Sequence, residues 1–255
     1  MAHRGCEGLW PSNSLFAFER ALAMGADILE MDIHSTADGA LVVRHDPFVE
    51  STTDGSGFIR SMQLAELKRL DAGYTWTDDG GQSYPFRGLG IEIPTLEEVF
   101  MTFPNARLNI DIKPEEPHVV HQLSAMLEKY QKLDQATVGS FHDKQLALFR
   151  RLCPGVRTAA GVSETRWFYY SSRLSLARFY HPLAQVFQIP EFAGRLRVVS
   201  PGFVRAAHQQ GLEVHVWTVN EKADMRRLIA WDVDGIITDY LDRLAEVLDE
   251  RLVLA

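Results

Sequence analysis

Between Ile28 and Ile33 the chain reads Ile-Leu-Glu-Met-Asp-Ile, and this alternation constrains the fold more than any other stretch. Successive side chains of a strand point to opposite faces, so Glu30 and Asp32 share one face while Leu29, Met31 and Ile33 share the other. The apolar face has to be covered by another layer. The acidic face then lines an interior, where two unpaired carboxylates are costly. Two remedies are open: ion pairs with Arg or Lys on a neighbouring strand, or a divalent cation. Hard cations such as Mg²⁺ and Ca²⁺ prefer carboxylate oxygens, and the chain has no Cys/His cluster at zinc-like spacing.

Flanking residues decide between the two remedies. Ala2-His3-Arg4-Gly5 lies upstream, and downstream the Asp38-Gly39 turn leads into a strand that ends on His45-Asp46-Pro47. Two histidines thus bracket two carboxylates. Imidazole exchanges protons near neutral pH. A His pair beside a metal suits attack on one side of a phosphodiester and protonation of the leaving oxygen on the other.

The remainder alternates strand-like and helix-like segments, the pattern of parallel βα units. Short β runs fall near 2–4, 28–33, 108–112, 137–140, 157–161, 185–189, 213–218 and 235–238. Amphipathic helices fit 14–24, 119–130, 144–152, 201–210 and 221–231. This order predicts an α/β fold, a (β/α)8 TIM barrel forming a single domain over 1–255, a length such barrels commonly reach. In such barrels the site lies at the carboxyl ends of the strands, where His3, Glu30, Asp32, Asp111, Trp217 and Asp239 fall. Residues 47–94 break the alternation; rich in Gly, Ser, Thr and Asp, they are too long for an ordinary loop.

A net charge of -8 argues against general nucleic-acid binding. An anionic substrate must then meet a locally positive site, as a metal with Arg4 and Lys113 would provide. Cys6 and Cys153 are far apart, which gives no disulfide framework and is compatible with a reducing compartment. No apolar run is long enough to predict a transmembrane segment, and the first motif begins at residue 3, leaving no room for a signal peptide. A cytoplasmic protein is expected. The oligomeric state is not written in the sequence.

The ordered series His3-Arg4-Gly5, Pro11-Ser12-Asn13-Ser14, Glu30-Met31-Asp32, Thr36-Ala37-Asp38-Gly39 and His45-Asp46 resembles the opening pattern of the glycerophosphodiester phosphodiesterase family. Similar pieces continue through Pro94-Thr95-Leu96-Glu97-Glu98-Val99, Asn109-Ile110-Asp111-Ile112-Lys113, Val216-Trp217-Thr218-Val219-Asn220 and Ile237-Thr238-Asp239, so the resemblance spans nearly the whole chain. It implies metal-dependent hydrolysis of small-molecule glycerophosphodiesters to glycerol 3-phosphate and an alcohol. His3 and His45 become the acid/base pair, with His3 assigned as base and His45 as acid. Asp111 joins Glu30 and Asp32 around one divalent metal ion, Mg²⁺ or Ca²⁺, with Mn²⁺ a further candidate. The family commonly has Glu where Asp111 stands, and for Asp111 alone an ion pair with Lys113 remains the alternative. Arg4 and Lys113 are assigned to the phosphate oxygens and Trp217 to an apolar or cation-facing wall. The family also places a mouth-capping insertion at 47–94. Ser12 departs from the pattern, replacing the usual Glu after Pro11, and Glu7 is a candidate to take over.

Two alternatives accompany this reading. The first is a lysophospholipase D acting on lysophospholipids, with peripheral lipid contact. Phe103-Pro104-Asn105, Phe187-Gln188-Ile189-Pro190 and Thr238-Asp239-Tyr240 resemble that branch, and the stretch from Trp167 to Tyr180 is unusually aromatic. That stretch is equally explained as a buried helix or an oligomer contact. The second is a catalytically silent barrel, which no residue demands. The remaining histidines are read as structural, although His215 shares strand parity with Trp217 and so points toward the barrel interior.

Overall fold

Parallel strands and the helices between them are the organising units of the computed structural model, which describes residues 1–174 and 176–254. In chain order the strands are β1 (Ile28–Ser35), β2 (Leu41–Val43), β3 (Arg107–Ile112), β4 (Ala136–Gly139), β5 (Arg157–Thr158), β6 (Val186–Pro190), β7 (Phe192–Ala193), β8 (Leu196–Arg197), β9 (Glu213–Trp217) and β10 (Gly235–Ile236). The helices are α1 (Leu15–Ala23), α2 (Leu64–Leu67), α3 (Leu96–Thr102), α4 (Pro117–Lys129), α5 (Asp143–Leu152), α6 (Val162–Arg173), α7 (Pro201–His208), α8 (Lys222–Ala230) and α9 (Leu241–Leu254).

Two sheets carry the architecture, β2-β1-β3-β4-β5 and β10-β9-β6. Single parallel bridges stitch them together: Ala159 pairs with Val186, and Ala2 pairs with both Leu29 and Thr238. Following these pairings gives the circular order Ala2 segment, β1, β3, β4, β5, β6, β9, β10 and back to Ala2. This is the eight-stranded parallel arrangement of a TIM barrel. β2, antiparallel to the end of β1, and the antiparallel β7–β8 hairpin stand outside it.

Burial follows the alternation in the sequence. Leu29, Met31 and Ile33 are fully buried, in one core cluster with Phe18, Val119 and Phe100 from α1, α4 and α3. Glu30 and Asp32 are also buried, and they line a cavity inside the ring. Residues 47–94 form a small core of their own from Val49, Ile59, Leu67, Ala72, Ile91 and Ile93, against Val42 of β2. They contribute no residue to the lining of that cavity. They are joined to the segment after the His3–Gly5 turn through Trp76, whose Nε1 donates to the Glu7 carbonyl at 2.9 Å.

Helix α6 and the β7–β8 hairpin are absent from the periodicity reading, because α6 is amphipathic around an aromatic stripe and the hairpin strands have two residues each. The expected strand at 2–4 is a single bridge at Ala2 running into a 3-10 turn at His3–Gly5. Among the described residues no helix is long and apolar enough to cross a membrane.

Candidate active site

The His-Arg-Gly turn is shaped by packing on α1. Arg4 adopts φ 50 and Gly5 φ 78, and a Cβ on Gly5 would lie 2.7 Å from the Cβ of Ala17, so only glycine fits there. The turn sets His3 and Arg4 side by side at the carboxyl end of the first barrel segment. The next motif has two separate jobs. The Ser14 hydroxyl caps α1 by accepting from the Ala17 N–H at 3.1 Å, while Asn13, in the left-handed region, donates through Nδ2 to Asp32 Oδ2 at 3.0 Å.

Asp32 and Asp111 sit opposite each other in the β1–β3 register. Lys113, just beyond β3, reaches back to both: its Nζ is 2.8 Å from Asp32 Oδ1 and 2.6 Å from Asp111 Oδ2. The ion-pair remedy for buried carboxylates is thus present in the structure, through Lys113. Arg4 joins it by charge and not by a hydrogen bond. Its Nε lies 3.4 Å from Asp32 Oδ2 but is buried with no aligned hydrogen bond, while its Nη1 donates to Glu7 Oε2 at 2.9 Å. Glu30 accepts only the backbone N–H of Arg4, at 2.8 Å.

Three carboxylates therefore face two cations, and the imbalance shows in their proton affinities. Burial, then the neighbouring Asp32 charge, pushes the Glu30 carboxyl up to about 7. Burial also raises Asp111, against the opposing pull of Lys113. For Asp32 burial acts in the same upward direction, but Lys113 and Arg4 outweigh it and hold the carboxyl below its ordinary value. Lys113 is itself held above the usual lysine range, because Asp111 and Asp32 overcome its burial.

Both expected histidines line the same cavity, each with a carboxylate on Nδ1. His3 Nδ1 donates to Asp239 Oδ1 at 2.6 Å. Asp239 is fixed in turn: its Oδ2 accepts from Asn220 Nδ2 at 2.7 Å, and its N–H donates to Asn220 Oδ1 at 3.0 Å. Burial lowers the His3 pKa, but the Asp239 hydrogen bond together with the Glu30 and Asp239 charges outweighs it, and the pKa lies above its ordinary value. His45 Nδ1 donates to its neighbour Asp46 at 2.8 Å, and the His45 carbonyl accepts from His34 Nε2 at 2.9 Å. Its side chain is 37% exposed against 14% for His3, so the two pairs differ in their access to water.

The opposite side of the cavity, whose volume is about 490 Å³, is apolar. Trp217, at the end of β9, meets Phe141 edge-on at 5.9 Å, and Tyr169, Tyr170, Leu196 and Val198 continue that side from α6 and the hairpin. The aromatic stretch beginning at Trp167 is therefore divided. Phe168 is a core residue, tilted on Phe187 at 4.7 Å, while its neighbours Tyr169 and Tyr170 reach the cavity.

All eight expected site residues, His3, Arg4, Glu30, Asp32, His45, Asp111, Lys113 and Trp217, line this one cavity. The expected metal trio is not its tightest donor cluster. Among the described residues the His/Cys/Asp/Glu group whose ligand atoms all lie within 4.8 Å of one another is His3, Glu7 and Asp239. Lys113 lies between Asp32 and Asp111, which accounts for the looser trio. Glu7, the candidate for the role of the Glu that Ser12 replaces, has Oε1 3.9 Å from His3 Nδ1 and accepts from Arg4 Nη1 through Oε2. His215 is buried beside Glu213 in a second cavity at the amino ends of β9 and β10, where burial takes its pKa down to about 4. Sequence reasoning gave no roles to Asn13, Asn220, Asp239 or His34. The first three stand inside quoted motifs, a signal that could have flagged them.

Residues 3–243 match the model of the Glycerophosphoryl diester phosphodiesterase family. A glycerophosphodiester phosphodiesterase of Bacillus subtilis (strain 168) is 32% identical over 97% of this chain and 85% of its own length. The crystal structure of glycerophosphodiester phosphodiesterase from Agrobacterium tumefaciens str. C58 superposes with a TM-score of 0.77 at 27% identity, covering 97% of each chain. An Oleispira antarctica phosphodiesterase in complex with the product sn-glycerol-3-phosphate superposes with a TM-score of 0.79 at 25% identity, over 97% of this chain and 95% of that one.

Proposed function

This chain belongs to the glycerophosphoryl diester phosphodiesterase family and is an enzyme of that class, and from that premise we propose how its cavity works. A divalent ion, Mg²⁺, Ca²⁺ or Mn²⁺, is held by Glu30, Asp32 and Asp111, and His3 and His45 move the protons. The supporting observation is the charge imbalance. A buried carboxyl with a pKa near 7 beside two more carboxylates is a donor set short of positive charge, and oxygen-only donors suit a hard cation. The ion supplies Lewis-acid polarisation of the phosphoryl oxygens when bound. Lys113 is then no longer needed to neutralise Asp32 and Asp111 and is available, with the unpaired Nε of Arg4, to the anionic diester.

The neighbouring substrate hydroxyl, or a water, forms the new bond to phosphorus and gives its proton to His3. Asp239 stabilises the imidazolium that results and keeps Nε2 toward the cavity. As the bond to the head-group alcohol breaks, His45 protonates the departing oxygen; its greater exposure suits a group that must be reprotonated from solvent. Attack by water gives glycerol 3-phosphate and an alcohol directly; attack by the substrate hydroxyl releases the alcohol and leaves a cyclic phosphate, which a water then opens to glycerol 3-phosphate by the same proton transfers in reverse. Residues 47–94 act beside the mouth, anchored by Trp76. The buried, unpaired Cys6 and Cys153 accord with a cytoplasmic location.

A second reading, lysophospholipids as substrates, is favoured by the apolar side of the cavity, which offers an acyl chain contacts that a glycerol diester cannot use. Chelation followed by turnover assays on glycerophosphocholine and lysophosphatidylcholine tests both readings. Turnover should vanish in stripped protein and return with Mg²⁺, Ca²⁺ or Mn²⁺; full activity without metal overturns the site. Glycerol 3-phosphate or lysophosphatidic acid as the product separates the two substrate readings.

A further inference from the structure

The apolar side of the cavity continues outward onto a rim of unusual composition. Trp167, Tyr170, Leu174, Phe179, Leu183 and Phe192 are all exposed, within a stretch of the chain that also forms the cavity wall. Exposed arginines are interleaved with them, at 166, 173, 178, 195 and 197. Between residues 162 and 198 these five face only Glu164 and Glu191, a surplus of three positive charges in a chain whose net charge is -8. Both glutamates are also engaged by arginines from elsewhere, Glu164 by Arg150 at 2.8 Å and Glu191 by Arg227 at 2.6 Å. Among the described residues, Arg166, Arg173, Arg178 and Arg195 have no carboxylate within ion-pair distance.

Contacts join the parts of this stretch. Trp167 stacks on Tyr180 at 5.3 Å, which ties α6 to the 3-10 turn at Ala177–Phe179, and the Tyr169 hydroxyl donates to the Arg197 carbonyl at 3.5 Å, which ties α6 to the hairpin. Arg178 lies over the Phe179 ring at 4.8 Å and Arg197 over the Phe192 ring at 4.9 Å. Arg166, Tyr170 and Leu196 belong both to this rim and to the cavity lining. Aromatic and aliphatic side chains interleaved with unpaired arginines are matched by a boundary that is apolar on one side and anionic on the other.

We propose that this rim docks on an anionic lipid surface, so that the cavity opens onto the bilayer; the proposal builds on the diesterase reading of the cavity but is measured by binding. Sedimentation of the full chain with vesicles tests it, comparing phosphatidylcholine alone with equal parts phosphatidylcholine and phosphatidylglycerol. Binding should favour the anionic vesicles and weaken as salt rises. Leu174→Ser with Phe179→Ser, and separately Arg173→Glu with Arg178→Glu, should each weaken it roughly tenfold or more. Turnover of dissolved glycerophosphocholine should stay unchanged in both, since none of the four residues lines the cavity. No preference for anionic vesicles overturns the proposal, as does a self-association that the same variants abolish, which would assign the face to a second copy. Should the apolar pair fail to fold, the arginine pair decides alone. An enzyme inactive on every diester that still binds anionic vesicles would break the diesterase reading and leave the docking face standing.

Discussion

On one side of the cavity His3, Asp32, Asp111, Lys113 and His45 each hold a charged partner within 2.8 Å. On the other, Phe141, Tyr170 and Leu196 are exposed and line the cavity with apolar surface. The polar side is tightly constrained, since Lys113 serves Asp32 and Asp111 at once and each histidine holds its own carboxylate. The apolar side has no such constraint and tolerates substitution. Chemistry and substrate choice are thereby assigned to different parts of the barrel mouth, and three measurements test that division.

The largest effect should come from the histidines. His3→Ala and His45→Ala should each lower kcat by roughly 10² or more, equally for a soluble diester and a lysophospholipid, since both substrates meet the same phosphate site. A p-nitrophenyl diester separates the pair. Its leaving group hardly needs protonation, so His45→Ala should recover rate on it while His3→Ala should not; equal recovery would reverse or remove the assignment.

Next in size is the strain in the charged cluster itself. Glu30 binds its proton more tightly in the fold, near pH 7, than at its ordinary 4.5, so its ionised form destabilises the metal-free protein above pH 7. That cost is relieved as pH falls from 7 toward 4.5. Glu30→Gln should accordingly raise the metal-free stability at pH 8 by up to about 3 kcal/mol, and the gain should disappear near pH 4.5. A divalent ion should cancel the advantage by stabilising only the parent protein. Thermal melts across pH, with and without metal, measure all three expectations. A variant less stable than the parent at pH 8 without metal would show that the cluster is already balanced.

The smallest effect should lie on the apolar side. Tyr170→Ser with Leu196→Ser should raise KM for lysophosphatidylcholine near tenfold, from roughly 50 Å² of lost contact at about 25 cal/mol per Å². Glycerophosphocholine kinetics should hardly move. Equal changes on both substrates would show that the two sides are not separable. Phe168 is unsuited to this test, although it lies in the same aromatic stretch, because it is fully buried against Phe187 and Phe203 and its loss would damage the core.

How far the site was legible follows from the reach of each interaction. Glu30 and Asp32 were placed correctly on one face because strand parity is a local property. The His45–Asp46 pair is adjacent in sequence and could be read as a motif. Its counterpart could not: His3 and Asp239 stand 236 positions apart, and nothing local to either predicts a 2.6 Å bond. Lys113 was assigned to phosphate, yet the fold sets it between Asp32 and Asp111, a choice made by the β1–β3 register. Helix α6 escaped detection because its periodicity is carried by aromatics that face the core, the cavity and the solvent in turn.

By itself the sequence determined what depends on neighbours along the chain: a covered strand with an acidic face, the βα alternation, the glycine in the His-Arg-Gly turn, and the residue types that metal and proton chemistry require. Tertiary structure alone decided which groups share charge and which share proton bonds. Closure of the ring brings Ala2 against both Leu29 and Thr238, and with that the first and last motifs meet around His3. It also decided that one aromatic stretch would serve the core, the cavity and the outer rim, because the direction each ring points is set by what packs against α6 and not by its spacing in the chain.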